Sequence, residues 1–387
     1  MPFTTRLASL CTLLPLAALL CERDASAAAP PVPPPDARQM AKLVADLGAD
    51  DFATRDGAGI ALERIGSEAV PALVGGMKSA DPEVRARSLA LARRAEKRAA
   101  AFFEALGADV QWHGKDRRAD IVSFSQRDAS RLGDGHLREL VGLPWLKRVF
   151  LDHAKIGGAG LAHIGRLKDL DYLDLTGTPI TDDGLAHLSG LTDLETLRLQ
   201  STRVTGRGLV HLKLLKKLHS LSLSESRLTD AGLAVGIIGL KELESLEDLI
   251  LSGTQLTDDG LLCLKEIKTR TSLRLARTRV TDRGLAHLRA MPKLAGVDLT
   301  RTAVTDKGCA RLAEIKTLVG ISLDETRVTA TGLRQLKDLP RLRSLCFRNI
   351  KVSEKELQDL LDLMPQRVTL LGEGIEGGVP GRAVKKP

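Results

Sequence analysis

Aromatic side chains are scarce in this chain: seven phenylalanines, two tryptophans and one tyrosine make up 3% of 387 residues. A sandwich or barrel leans on aromatic and β-branched residues, so this scarcity argues against both. It also removes the aromatic rows that a glycan platform or a nucleic-acid groove stacks against. Nucleic acid is therefore not an expected partner. Cysteine is sparse too. Cys11 and Cys21 fall in an N-terminal apolar stretch, and Cys263, Cys309 and Cys346 show no paired spacing, so no disulfide framework is expected. No nucleophile elbow, phosphate-cradling glycine loop, CxxC or HExxH occurs. That leaves no catalytic residue, metal site or cofactor to nominate. After the N-terminus no apolar run approaches the about 18 residues of a spanning helix, so a mature chain without a transmembrane segment is expected.

Leucine, by contrast, is abundant and returns at a fixed interval. Leu173-Asp174-Leu175 recurs as Leu197-Arg198-Leu199 and Leu221-Ser222-Leu223, each 24 residues on, and after 28 more as Leu249-Ile250-Leu251. The 24-residue step then resumes through Leu273-Arg274-Leu275, Val297-Asp298-Leu299, Ile321-Ser322-Leu323 and Leu345-Cys346-Phe347. Self-similarity of this kind means a solenoid. Within one unit, Leu173 and Leu175 alternate with Tyr172, Asp174 and Thr176, which reads as a short strand with one buried face. Thr181-Asp182-Asp183-Gly184 reads as a helix start, with a threonine N-cap and carboxylates where the macrodipole favours them. Leu185, Leu188 and Leu191 follow at helical spacing. One such unit cannot hide its leucines alone; stacked neighbours bury them as one ridge.

Three further columns keep the period. The capping threonine returns at Thr205, Thr229, Thr257, Thr281, Thr305 and Thr329, with Ser353 in the same place. A glycine stands three residues after each threonine, from Gly184 to Gly332. Glycine is a poor helix former, so its return implies close approach to the turn stacked beside it. The small hydroxyl residues Thr178, Thr202, Ser226, Thr254, Thr278, Thr302 and Thr326 follow the strand. They are expected to satisfy buried backbone groups between coils.

These residues resemble the leucine-rich repeat family, whose pattern is L-x-x-L-x-L-x-x-N/C-x-L, over roughly residues 122 to 371. The tail of each unit, as in Ile180-Thr181-Asp182-Asp183-Gly184-Leu185, is closest to the cysteine-containing subclass. The resemblance implies an α/β fold: a right-handed solenoid with a parallel concave sheet and convex helices. Threonine stands where the family carries asparagine or cysteine, so the family's asparagine ladder is not implied.

The flanks differ in character. Residues 1–27 read as a secretory signal peptide, with Arg6, an apolar stretch from Leu7 to Leu20, and Ala25-Ser26-Ala27 as the cleavage site. Export to periplasm, cell surface or medium follows. Lipidation at Cys21 is the alternative, disfavoured by the bulky Leu20 before it. Residues 28–36 form a proline-rich linker. Residues 37–106 read as helices, one from Phe52 to Ile65 and another opening at Asp81-Pro82-Glu83. Asp51-Phe52-Ala53-Thr54-Arg55 matches Asp81-Pro82-Glu83-Val84-Arg85 thirty residues on. This pairing resembles HEAT-like repeats, an all-α segment that either binds protein or caps the solenoid's open end. The solenoid is expected over 107–371, opening with a hairpin of Val110 to His113 and Ile121 to Phe124. Four extra residues around Gly236 to Leu246 should bulge on the convex side. A disordered, glycine-rich tail is expected over 372–387.

The outward strand positions are the default binding surface of such a horseshoe. Their charges are mixed, whereas a nucleic-acid groove needs one sign. Arg148, Phe150, Asp152, Tyr172 and Asp174, with Arg198 beside them, combine aromatic and charged groups as a protein hot spot does. The expected function is thus a non-enzymatic, monomeric scaffold that recognises a protein partner through its concave face. A basic rim supplies the alternative: Lys155, Arg203, Arg227, Arg279, Arg327 and Lys351 recur just past the strands. At a strand spacing of about 4.8 Å, neighbouring cations repel by about 1 kcal/mol in water. Either Asp182, Asp230, Asp258, Asp282 and Asp306 neutralise them, or an anionic partner does. With the basic stretch Arg85, Arg87, Arg93, Arg94, Lys97 and Arg98 and a net charge of +8, the rim makes binding of a polyanion or an acidic surface the second reading. His163, His187, His211 and His287 also recur, but no carboxylate or cysteine joins them at the same pitch, so a structural or surface role is expected.

Overall fold

The computed structural model describes residues 36–365 and 368–372. The expected signal peptide, nearly all of the proline-rich linker, and the tail from residue 373 lie outside the described residues.

Four helices come first: α1 (Ala37–Asp46), α2 (Phe52–Ile65), α3 (Val70–Gly76) and α4 (Pro82–Ala105). Aspartate opens three of them. Asp36 accepts from Gln39 N at 2.7 Å, Asp51 from Thr54 N at 2.7 Å and Asp81 from Glu83 N at 2.8 Å, satisfying amides that a helix start leaves free. The thirty-residue match has a geometric meaning. Arg55 Nη1 donates to the carbonyls of Ala49 and Asp50, and Arg85 Nη1 donates to those of Ser79 and Ala80. Each arginine thereby holds the turn that precedes its own helix. Leu47, Leu62, Leu73 and Ala92 form the core of this segment.

Strands β1 (Ala108–His113) and β2 (Arg118–Phe124) make the expected antiparallel hairpin. Ten short parallel strands follow, in chain order: β3 (Arg148–Phe150), β4 (Tyr172–Asp174), β5 (Thr196–Arg198), β6 (Ser220–Ser222), β7 (Asp248–Ile250), β8 (Thr271–Arg274), β9 (Leu294–Asp298), β10 (Gly320–Ser322), β11 (Ser344–Cys346) and β12 (Thr369–Leu371). Register follows the repeat. Val149 pairs with Leu173, Leu173 with Leu197, Leu197 with Leu221 and Leu221 with Leu249. The four-residue insertion therefore leaves the sheet undisturbed; it lengthens the convex helix Asp230–Leu240 instead. One leucine-built core runs from Ala99 to Leu370. This is an α/β leucine-rich repeat solenoid preceded by an all-α segment.

The helical segment sits against the solenoid's first coils. Phe103 is fully buried in the solenoid core, and the buried Glu96 accepts a hydrogen bond from Ala119 N of β2 at 2.7 Å. Ser67 donates to Glu139 at 2.6 Å, and Arg166 pairs with Glu68 at 2.7 Å.

Several local expectations change. Asp182–Gly190, Arg207–Leu214 and Gly260–Glu266 wind as 3₁₀ turns rather than α-helices. Leucines three apart fit either winding. Thr229, Thr281, Thr305, Thr329 and Ser353 accept a backbone hydrogen bond as N-caps, whereas Thr181 and Thr205 do not. Thr178 Oγ1 donates to Leu175 O at 2.6 Å and Thr302 Oγ1 to Leu299 O at 2.6 Å. These hydroxyls thus serve their own coil, not the gap between coils. The cause is the left-handed residue just before them, as at Ser201 (φ 54°) and Arg301 (φ 56°), which folds the chain back on its strand.

The glycine column does make room for the adjacent coil. A Cβ on Gly284 would lie 2.4 Å from Asp258 Oδ1, and one on Gly232 would meet Thr205 O. The aspartates in question clasp the next threonine. Asp258 accepts from Thr281 N and Oγ1, both at 2.7 Å, and Asp306 accepts from Thr329 N and Oγ1 at 2.8 and 2.7 Å. Asp182, Asp230 and Asp282 do the same for Thr205, Thr257 and Thr305.

Candidate functional site

Parallel pairing of β3 with β4 sets Phe150 directly opposite Asp174 and Arg148 opposite Tyr172. The two aromatic rings cross this register diagonally and stack, with centroids 4.7 Å apart and planes inclined by 32°. Both are half-buried. Burial, and then the Asp174 charge, push the Tyr172 hydroxyl above its ordinary value, so it stays protonated as a donor. Asp174 is 5% exposed. It accepts from Thr176 N at 3.0 Å and pairs with Arg198 Nη1 at 3.3 Å. Asp152 makes no ion pair among the described residues. Arg148 turns aside to Asp171 at 3.7 Å. Five of the six nominated residues therefore meet around one aromatic pair, and Arg148 stands at its edge.

Further along the face, short hydroxyl and carboxylate bonds tie neighbouring strands. Gln200 Nε2 donates to Ser222 Oγ at 2.9 Å, and Thr300 shares a hydrogen bond with Ser322 at 3.0 Å. Cys346 points outward at the far end of this face, half-buried, and burial raises its thiol above the ordinary value. Cys263 and Cys309 are pushed up to about 11 and about 12 by burial. Thiolate, the reactive form, is scarce at all three.

The rim residues Lys155, Arg203, Arg227, Arg279, Arg327 and Lys351 are all exposed. Among the described residues none of these side chains makes an ion pair. The aspartates that were candidates to neutralise them are committed to the threonine clasps. The α4 stretch behaves oppositely. Arg87 pairs with Glu83, Arg94 with Glu63 and Arg93 with Asp116 at 3.7 Å, so half of its six cations have an acidic partner, and Arg85 donates to backbone carbonyls. His136 accepts from Gly133 N at 3.0 Å. No group of three or more His, Cys, Asp or Glu side chains converges among the described residues, and no helix there is long and apolar enough to cross a membrane.

Side-by-side coils of one strand and one convex turn, sharing a leucine spine, define a leucine-rich repeat fold. The leucine-rich repeat family model matches residues 167–189 and 242–265. A comparison with curated proteins finds no match. Among solved structures, the chain is similar to an internalin (inlF) of Listeria monocytogenes, 17% identical, over 65% of this chain and 84% of that one, with a TM-score of 0.40. It is similar to a chain in an octameric complex of Latrophilin 3, Unc5D and FLRT2, 17% identical, over 69% and 87%, with a TM-score of 0.43. A second Listeria internalin, C2, is 19% identical over 64% and 91%, with a TM-score of 0.34.

Proposed function

We propose that this chain is a non-enzymatic scaffold that recognises a protein partner through its concave face, at the corner built on Phe150 and Tyr172. The stacked ring pair carries this reading. It puts apolar area beside the exposed Arg198 and the unpaired Asp152, on a face that is otherwise hydroxyl-rich. Aromatic and arginine anchors ringed by polar groups are what protein hot spots use. The mixed charge of the face fits a protein better than a one-signed polymer. The N-terminal sequence adds an exported location, so the partner is sought in the cell envelope or outside it.

Capture from an envelope extract tests this. Phe150→Ala with Tyr172→Ala is expected to lower retention of the captured protein about tenfold or more. Arg203→Gln, Arg227→Gln and Arg279→Gln together should leave it unchanged. The reverse pattern would transfer the function to the basic rim. That second reading draws on one observation, the absence of any ion pair on six exposed rim cations among the described residues. It predicts binding that falls steeply with added salt.

A further inference from the structure

Opposite the rim, at the leading edge of β8 to β11, lies a cleft of about 680 Å³. Arg270, Lys293, Arg341 and Arg343 line it, and no carboxylate does. Some arginines elsewhere on the solenoid find acids, Arg277 pairing with Glu225, Arg289 with Glu314 and Arg301 with Glu325, whereas the rim cations do not. Among the described residues, none of the four cleft cations makes an ion pair. Thr317, in the coil between Lys293 and Arg341, lines the cleft as well, with its Oγ1 buried and, among the described residues, without a hydrogen-bond partner. Pro292 and Pro340 wall the two ends of this stretch and offer no amide of their own.

We propose that this cleft binds a multiply charged oxyanion, with phosphate or sulfate groups borne on one short chain. Guanidinium forks match such tetrahedral groups, and like charge focused in a concave site attracts them. The four cations spread over three strand-to-strand steps of about 4.8 Å, about 14 Å in all. A lone phosphate cannot touch both ends; several linked groups can. A second basic hollow, lined by Arg93, Arg94, Lys97 and Arg117, contains Glu96 and Asp116 as well and so carries no comparable claim. The proposal is independent of how the protein partner is held, because it uses the other edge of the sheet.

Calorimetric titration of the purified chain with tripolyphosphate, orthophosphate and sucrose octasulfate tests it. Tripolyphosphate or the octasulfate should bind one per chain, at least about tenfold tighter than orthophosphate, since several charge-assisted bonds then act together. Lys293→Gln with Arg341→Gln should weaken binding about tenfold or more. Both residues are exposed, so the melting temperature should hold. Arg203→Gln with Arg227→Gln should change nothing. Absence of binding, insensitivity to the cleft variants, or equal sensitivity to the rim variants would overturn the proposal.

Discussion

Asp258 and Thr281 lie 23 residues apart, yet the carboxylate of one grips both the amide and the hydroxyl of the other at 2.7 Å. Gly284 completes the joint by leaving the space that Asp258 fills. The same joint returns at Thr205, Thr257, Thr305 and Thr329, so these coils are fastened to the ones before them on the convex shoulder as well as through the sheet.

Asp258→Ala is expected to cost about 1.5–3 kcal/mol, the range for a charged acceptor lost from partly buried donors. Gly284→Ala should cost a similar amount by displacing the same carboxylate. The double variant should fall well short of the sum, because both changes break one joint. Urea unfolding of the three variants measures this.

Glu96 gives the chain a pH signature. Burial lifts its carboxyl above the ordinary value of 4.5, outweighing the Ala119 amide bond that lowers it. A raised folded-state value means the folded chain holds this proton more tightly than the unfolded one. Its stabilising contribution is therefore full below pH 4.5 and lost as pH climbs through the folded-state value. Glu96→Gln keeps an acceptor for Ala119 without the charge, so it should raise stability at pH 7 and flatten the decline from pH 4.5 to 7. Glu96→Ala strands the amide and should cost about 1–3 kcal/mol. Thermal melts across this pH range check both.

Ser226 breaks the pattern of its column. Among the described residues its buried hydroxyl has no partner, whereas Thr302 bonds Leu299 O at 2.6 Å. Ser226→Ala should be neutral or stabilising, by at most about 1 kcal/mol. Thr302→Val should cost about 1 kcal/mol. Denaturant midpoints distinguish the two.

Cysteine chemistry should be slow in the folded state. With Cys263 and Cys309 pushed up to about 11 and about 12, and Cys346 raised in the same direction, little thiolate exists at pH 8. Alkylation followed by mass spectrometry should show all three reacting far faster once the chain is unfolded.

Strand positions and register were legible because the two-residue alternation recurs at every coil and the 24-residue period at most of them. The aromatic corner was legible for the same reason: Phe150 and Tyr172 face outward in adjacent strands. Helix winding was not, since leucines at 185 and 188 suit 3₁₀ and α turns alike. The role of Asp258 was hidden because its partner lies in the next coil, and a surface aspartate beside an arginine column reads first as a counter-charge. Lys293, Arg341 and Arg343 escaped notice because they precede the strands and occur only in the C-terminal half. A column-by-column reading of the positions just before each strand would have found them.

Photo-crosslinking tests the central claim most directly. A benzophenone side chain at position 172, on the concave face, is compared with one at position 214, where Leu214 is exposed on the convex side, using the protein captured from envelope extract. Adducts from position 172 and none from position 214 are the expected result. Adducts from position 214 alone would contradict recognition through the concave face.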